Sequence, residues 1–128
     1  MNKEVLAAVS DMIFAAKING AASQAGINVT FVKSLDKLLT QALTITPRLI
    51  ILDLNNPRFD PLIAIKELKS NQSLCAIPIV GFLSHVQVEL RRQAQEIGCD
   101  FTMPRSQFNN NLIEILSSET FLQKTLVT

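Results

Sequence analysis

The chain has 128 residues, 48% of them hydrophobic, and balances 12 basic against 11 acidic side chains for a net charge of +1. That length suits one domain with a filled core, and the near-neutral balance gives no basic face for nucleic acid or for an anionic membrane. No apolar run approaches the roughly 18 residues of a membrane span, and Asp11 interrupts the apolar segment after Met1-Asn2-Lys3-Glu4 before a signal-peptide core forms; a soluble, cytoplasmic protein is expected.

Short apolar runs alternate with helical segments along the chain, which is the pattern of βαβ units around a parallel sheet. Val5 to Val9 reads as the first strand, and Met12 to Ala25 as an alanine-rich helix that stops at Gly26. Val29 to Val32 is the second strand. Ser34 caps a helix running through Leu38, Leu39 and Leu43, and Pro47 leads into a third strand at Leu49 to Leu52. Asp60-Pro61 is a helix start, an Asp cap with proline in the first helical position. That helix turns Leu62, Ile65 and Leu68 inward and ends near Asn71. Ile77 to Phe82 is the fourth strand. Ser84-His85-Val86-Gln87 fits a capping box, opening a helix with Val86, Leu90, Ala94 and Ile97 on one face and an end at Gly98. Phe101 to Met103 is the fifth strand, and the last helix begins around Ser106 to Asn109. Right-handed crossovers then build a three-layer α/β sandwich, for which the fold-level expectation is a sheet of order 2-1-3-4-5.

The run Leu49-Ile50-Ile51-Leu52 is a strand buried on both faces, and it ends in Asp53 followed by Leu54-Asn55-Asn56-Pro57. A carboxylate there lies at the carboxyl edge of the sheet, where open α/β folds bind ligands. The plainer reading of Asp53 is a turn residue that accepts loop amides. Asp11 reads either as a metal ligand or as the cap of the first helix. Cys75 and Cys99 lack metal spacing. Each precedes a strand, so a bridge is geometrically conceivable, although a free cysteine usually serves as a small apolar residue. His85 is the only histidine, no nucleophile–base–orienter set is present, and no glycine-rich phosphate loop follows a strand.

With these five β/α units, Leu52-Asp53-Leu54-Asn55-Asn56-Pro57, the later Asp60, Ala76-Ile77-Pro78-Ile79-Val80 and Gly98-Cys99-Asp100, the chain resembles the receiver domains of two-component response regulators over residues 3 to 116. The resemblance implies the flavodoxin-like receiver fold for residues 1–116, with 117–128 extending the last helix or forming a tail. It implies a Mg²⁺ site built from an acidic pair after the first strand and the third-strand Asp, which accepts a phosphoryl group. A hydroxyl residue ending strand four and a Lys ending strand five then bind the phosphoryl oxygens. Such chemistry rests on positioning and charge neutralisation.

Carried over residue by residue, Asp53 matches the phosphoacceptor, and Asn55 stands where a backbone carbonyl helps ligate the metal. After strand one, counting back from Gly26 puts Val9 and Ser10 on the acidic pair; a helix one residue shorter gives Asp11 the second acidic role. Asp11 and Asp53 are thus the metal candidates. Leu83 falls on the hydroxyl position, with Ser84 beside it. Counting from Gly98 puts Arg105 on the lysine, whereas matching the prolines puts Met103 there. Arginine is not an equivalent substitute for lysine at a tight phosphoryl site, and it either pairs permanently with Asp53 or is solvated near a loop. The cofactor expected is none, or weakly bound Mg²⁺.

The resemblance also implies a partner surface on helix four, strand five and helix five, here Glu89, Arg91, Arg92, Gln95, Arg105, Gln107 and Phe108. Phe121, Leu122, Leu126 and Val127 in the tail would extend helix five, pack back on the domain, or serve a homodimer. The expected function is a stand-alone receiver-like signalling module, not an enzyme, with a degraded phosphorylation site. It would act by binding a signalling protein or a histidine kinase, and not nucleic acid or membrane. The alternatives are a working single-domain response regulator phosphorylated on Asp53, and a flavodoxin-like cofactor carrier using Phe59 or Phe82 against a flavin.

Overall fold

A computed structural model describes residues 2–84 and 87–117. Five parallel strands form one sheet, β1 (Glu4–Ala8), β2 (Asn28–Phe31), β3 (Leu49–Asp53), β4 (Ile79–Leu83) and β5 (Phe101–Pro104), in the order β2-β1-β3-β4-β5. The helices are α1 (Met12–Ala25), α2 (Leu35–Ile45), α3 (Pro61–Ser70), α4 (Val88–Glu96), α5 (Arg105–Asn110) and α6 (Leu112–Ser117).

Strand alternation sends side chains to two separate cores. On one face Val5, Ala7, Ile51, Val80, Phe82 and Met103 meet Phe14 and Ile18 of α1, Phe108 of α5 and Ile115 of α6. On the other, Leu6, Ile50, Leu52, Ile79 and Leu83 meet Leu38 of α2, Ile65 and Leu68 of α3, and Ala94 of α4. All five residues of β3 are buried, as a central parallel strand covered on both faces requires. The strand ends differ from the expected ones by one or two residues. Pro78, which has no N–H to give a ladder, stands just before β4, while its carbonyl accepts from Ile50 N at 3.0 Å.

Local signals set most helix ends. Asp60 accepts from Leu62 N at 2.9 Å with Pro61 at the first helical position, and Ser34 accepts from Lys37 N at 3.1 Å. Gly26 closes α1 at φ +70°, a left-handed conformation open to glycine without strain.

Two expectations fail for stated reasons. The box at Ser84 and Gln87 does not form: α4 starts at Val88, with Gln87 at the cap position and no side-chain cap bond. The Asn55 side chain takes both partners instead. Its Oδ1 accepts from Ser84 N at 3.0 Å, and its Nδ2 donates to Gln87 Oε1. His85 and Val86 lie outside the described residues. The last helix starts earlier than expected, at Arg105 directly after Pro104, and is interrupted at Asn111, whose N–H is shared between the Gln107 and Phe108 carbonyls. The tail beyond Ser117, with Phe121, Leu122, Leu126 and Val127, also lies outside the described residues.

Candidate functional site

At the carboxyl edge of the sheet, Asp53 is one of two buried polar residues among those described, only 3% exposed. It ends β3 opposite Phe82 of β4. Its Oδ1 accepts from Asn55 N at 2.9 Å, the loop-turn bond expected of an Asp at a strand end. The other buried polar residue, Asn56, donates from Nδ2 to Ala8 O at 3.3 Å and accepts at Oδ1 from Arg58 N at 2.8 Å. The β3–α3 loop is thus tied to the end of β1 through Asn56 and to the β4–α4 loop through Asn55.

Asp11 is the cap of α1. One oxygen, Oδ1, accepts from Ile13 N at 2.9 Å and from Phe14 N at 3.1 Å. The other, Oδ2, accepts a long hydrogen bond of 3.4 Å from Arg105 Nη1. Arg105 Nη2 lies 3.7 Å from Asp53 Oδ2, an ion pair beyond hydrogen-bond reach. The guanidinium also stands 5.1 Å from the centroid of the Phe14 ring and 5.4 Å from that of Phe82. Those distances suit cation–π attraction, and a planar guanidinium serves such stacking better than an ammonium. Beneath it Phe14, Phe82 and Phe108 form one cluster, with centroids 4.9 Å apart for both Phe14–Phe82 and Phe82–Phe108. Arg105 therefore lies between two carboxylates on one side and two rings on the other.

The electrostatics follow from burial and these partners. Burial raises the Asp53 pKa above its ordinary value; the Asn55 amide and the Arg105 charge oppose the rise, and Asp11 adds to it. The amide of Phe14 is the largest cause holding Asp11 below the usual range, with Ile13 and Arg105 acting the same way. Desolvation opposes that lowering at Asp11 without overcoming it, whereas at Asp53 it is the largest cause.

These oxygens do not fit a resident Mg²⁺ well. Each of the two carboxylates already spends one oxygen on backbone N–H groups and turns the other toward Arg105. Mg²⁺ demands near-octahedral oxygen geometry and strips its water reluctantly, and here a guanidinium holds the neighbouring charge. Among the described residues no group of three or more His, Cys, Asp or Glu side chains could hold a metal ion.

The other predicted residues are placed as follows. Leu83 is 1% exposed and packs in the α2–α3–α4 core, away from Asp53. Ser84 is exposed, tied to the site through its backbone N–H on Asn55. Ser10 is half-buried at the end of β1. Met103 is buried under α1 and α5, so Arg105, not Met103, reaches the carboxylates. On the α4–β5–α5 side, Glu89 and Arg92 are exposed and paired with each other, and Glu96 pairs with the same arginine. Arg91 is drawn back onto β5, donating from Nε to Thr102 Oγ1 at 3.1 Å and from Nη2 to Thr102 O at 3.0 Å. Phe108 is a correction: it is fully buried, stacked on Phe82, and cannot belong to an exposed partner surface. Phe82 is likewise buried under Arg105 and offers no free face to a flavin ring. Sequence reasoning missed Phe14 and Phe82 as the seat of Arg105, because residues 14, 82 and 105 meet only through the tertiary fold. It also missed Asn56, for which the Asn-Asn-Pro triplet after a buried strand was the available signal.

With five strands in the order 2-1-3-4-5 and helices on both faces, the fold is the flavodoxin-like fold of response-regulator receivers. Solved structures agree. The chain matches the signal receiver domain of a response regulator from Bermanella marisrubri at a TM-score of 0.79 and 22% identity, covering 91% of this chain and 96% of that one. It matches the chemotaxis response regulator CheY4 of Vibrio cholerae at 0.79 and 17%, covering 91% and 97%. It matches the phosphorylated cyanobacterial phytochrome response regulator RcpA at 0.78 and 20%, covering 98% and 96%. No protein-family model and no curated protein matches the sequence.

Proposed function

We propose that this chain is a receiver-like signalling module in which phosphate control is replaced by a fixed ion-pair arrangement, and that it acts by binding another protein. The observation that carries this reading is Arg105, which lies between the Asp11 and Asp53 carboxylates and over the Phe14 and Phe82 rings. Mg²⁺ entering beside Asp53 meets the positive charge of that guanidinium, 3.7 Å from the carboxylate oxygen. Losing one preorganised charge partner at a transferring phosphoryl costs on the order of a hundredfold in rate. Here one of the two acidic positions, the hydroxyl and the lysine are all altered.

Protein binding falls to the exposed α4 face carrying Glu89, Arg92 and Glu96, with Arg91 at its edge. A signalling protein or histidine kinase is the partner class that the fold suggests. Catalytic chemistry of its own is not part of the proposal, and a cytoplasmic location accords with the absence, among the described residues, of a helix long and apolar enough to cross a membrane.

The competing reading, a working response regulator phosphorylated on Asp53, draws on one feature: Asp53 is buried at the strand end with Asn55 N on one oxygen, in a fold whose neighbours include a phosphorylated response regulator. A Mg²⁺ titration followed by amide NMR separates the two. Unmoved resonances of Ser10, Asp53 and Asn55 at millimolar Mg²⁺ are expected. A saturable shift at those amides, abolished in Asp53→Asn, would favour the phosphorylated switch.

A further inference from the structure

Beside the Asp53 site, and beyond the receiver-like reading of it, a groove of about 380 Å³ opens between the end of β1, the edge strand β2 and the start of α1. That size falls in the range of small-molecule pockets. Its lining is mostly apolar, from Val9, Ala15, Ala16 and Phe31, with the exposed thioether of Met12 at the lip. Two cations, Lys33 after β2 and Arg58 after β3, line the same groove. Both are exposed, and neither forms an ion pair with another of the described residues. Asp36 and Asp60, the carboxylates nearest to Lys33 and Arg58 in sequence, make no ion pair with either, Asp60 capping α3 instead, and Asp11 beside Ser10 is engaged by the α1 amides and Arg105. The groove therefore combines an apolar floor with two unneutralised positive charges.

The geometry points to this groove as the binding site of a small amphiphilic carboxylate, its apolar body against Phe31 and Ala15 and its carboxylate between Lys33 and Arg58. The charge is what selects the ligand class. A neutral apolar molecule uses the floor alone, whereas a carboxylate adds charge-assisted bonds to one or both cations. Ser10 lines the groove and precedes Asp11, so an occupied groove adjoins the Arg105 arrangement through one peptide bond.

The test is a titration of the full chain with 2-naphthoate followed by amide NMR, beside the neutral isostere 2-naphthamide. Saturable shifts are expected at Ser10, Ala15, Phe31 and Lys33. Affinity is expected to fall about tenfold in the Lys33→Gln/Arg58→Gln double variant and by a similar factor for the amide. Ala16→Trp, a filling change at an exposed position, is expected to abolish the shifts. No saturable shift, equal affinity for acid and amide, or undiminished binding in Ala16→Trp would each overturn the assignment. So would binding of an acidic peptide on this face without binding of the naphthoate, which would make it a protein interface.

Discussion

Replacing Arg105 with leucine removes the charge that lies against Asp53 while keeping an apolar side chain over the rings. At 3.7 Å the pair is worth about 4.5 kcal/mol at an effective dielectric of about 20. The arginine is 41% exposed, although Asp53 is only 3% exposed, and solvent screening brings the net figure to about 1 kcal/mol. Loss of cation–π attraction to Phe14 and Phe82 adds about 0.5–1 kcal/mol for each ring. The single variant should therefore lose about 2–3 kcal/mol, leaving a typical domain folded. Urea unfolding of the wild type, Arg105→Leu, Asp53→Asn and the double variant completes a cycle in which the ring contribution cancels. A coupling energy of about 1 kcal/mol is expected, with unchanged slopes. Coupling within about 0.3 kcal/mol of zero would refute the claim that Arg105 is held by Asp53.

Three further outcomes test other parts of the molecule. Because burial raises the Asp53 pKa, the folded state keeps a proton that the unfolded state has lost between pH 3.8 and the raised value. Stability relative to Asp53→Asn should thus fall as pH rises through that window and stay level above it; urea midpoints that rise instead would reverse the assigned cause. Gly81→Ala places a Cβ 2.9 Å from Leu54 Cδ1. Leu54 is itself buried, so the overpacking should cost about 1–3 kcal/mol in urea unfolding, and an unchanged midpoint would mean that Leu54 gives way freely. Iodoacetamide under native conditions should add one adduct, at exposed Cys75, because burial pushes the Cys99 thiol up to about 12. Equal labelling of both cysteines would contradict the buried placement of Cys99.

The parts of the fold legible in the sequence are those governed by neighbours along the chain. Four apolar residues from Leu49 identify the central strand, Asp60-Pro61 starts α3, and Gly26 ends α1. The start of α4 was misread because Asn55, far away in sequence, binds Ser84 N and the Gln87 side chain, one of the two pairs that a local capping box would join. Phe108 misled for a related reason. Its spacing from Arg105 places it on the last helix, but only the tertiary fold turns it onto Phe82 rather than toward solvent. At the site, Asp53, Asp11 and Arg105 were all identifiable as candidates. Of the two roles considered for Asp11, metal ligand and helix cap, the structure shows the cap, and its second oxygen faces Arg105. What sequence alone left open was whether Arg105 meets Asp53, since that depends on two phenylalanines from α1 and β4 supporting the guanidinium.

The central claim is that Arg105 occupies the place where a phosphoryl group would need to be stabilised. Intact mass after incubation with acetyl phosphate and Mg²⁺, beside an Asp53→Asn control and an EDTA-treated sample, tests it most directly. The folded wild type is predicted to show no gain in mass. A gain of one phosphoryl group in the wild type, absent from both controls, would contradict the account and make Asp53 a working phosphorylation switch.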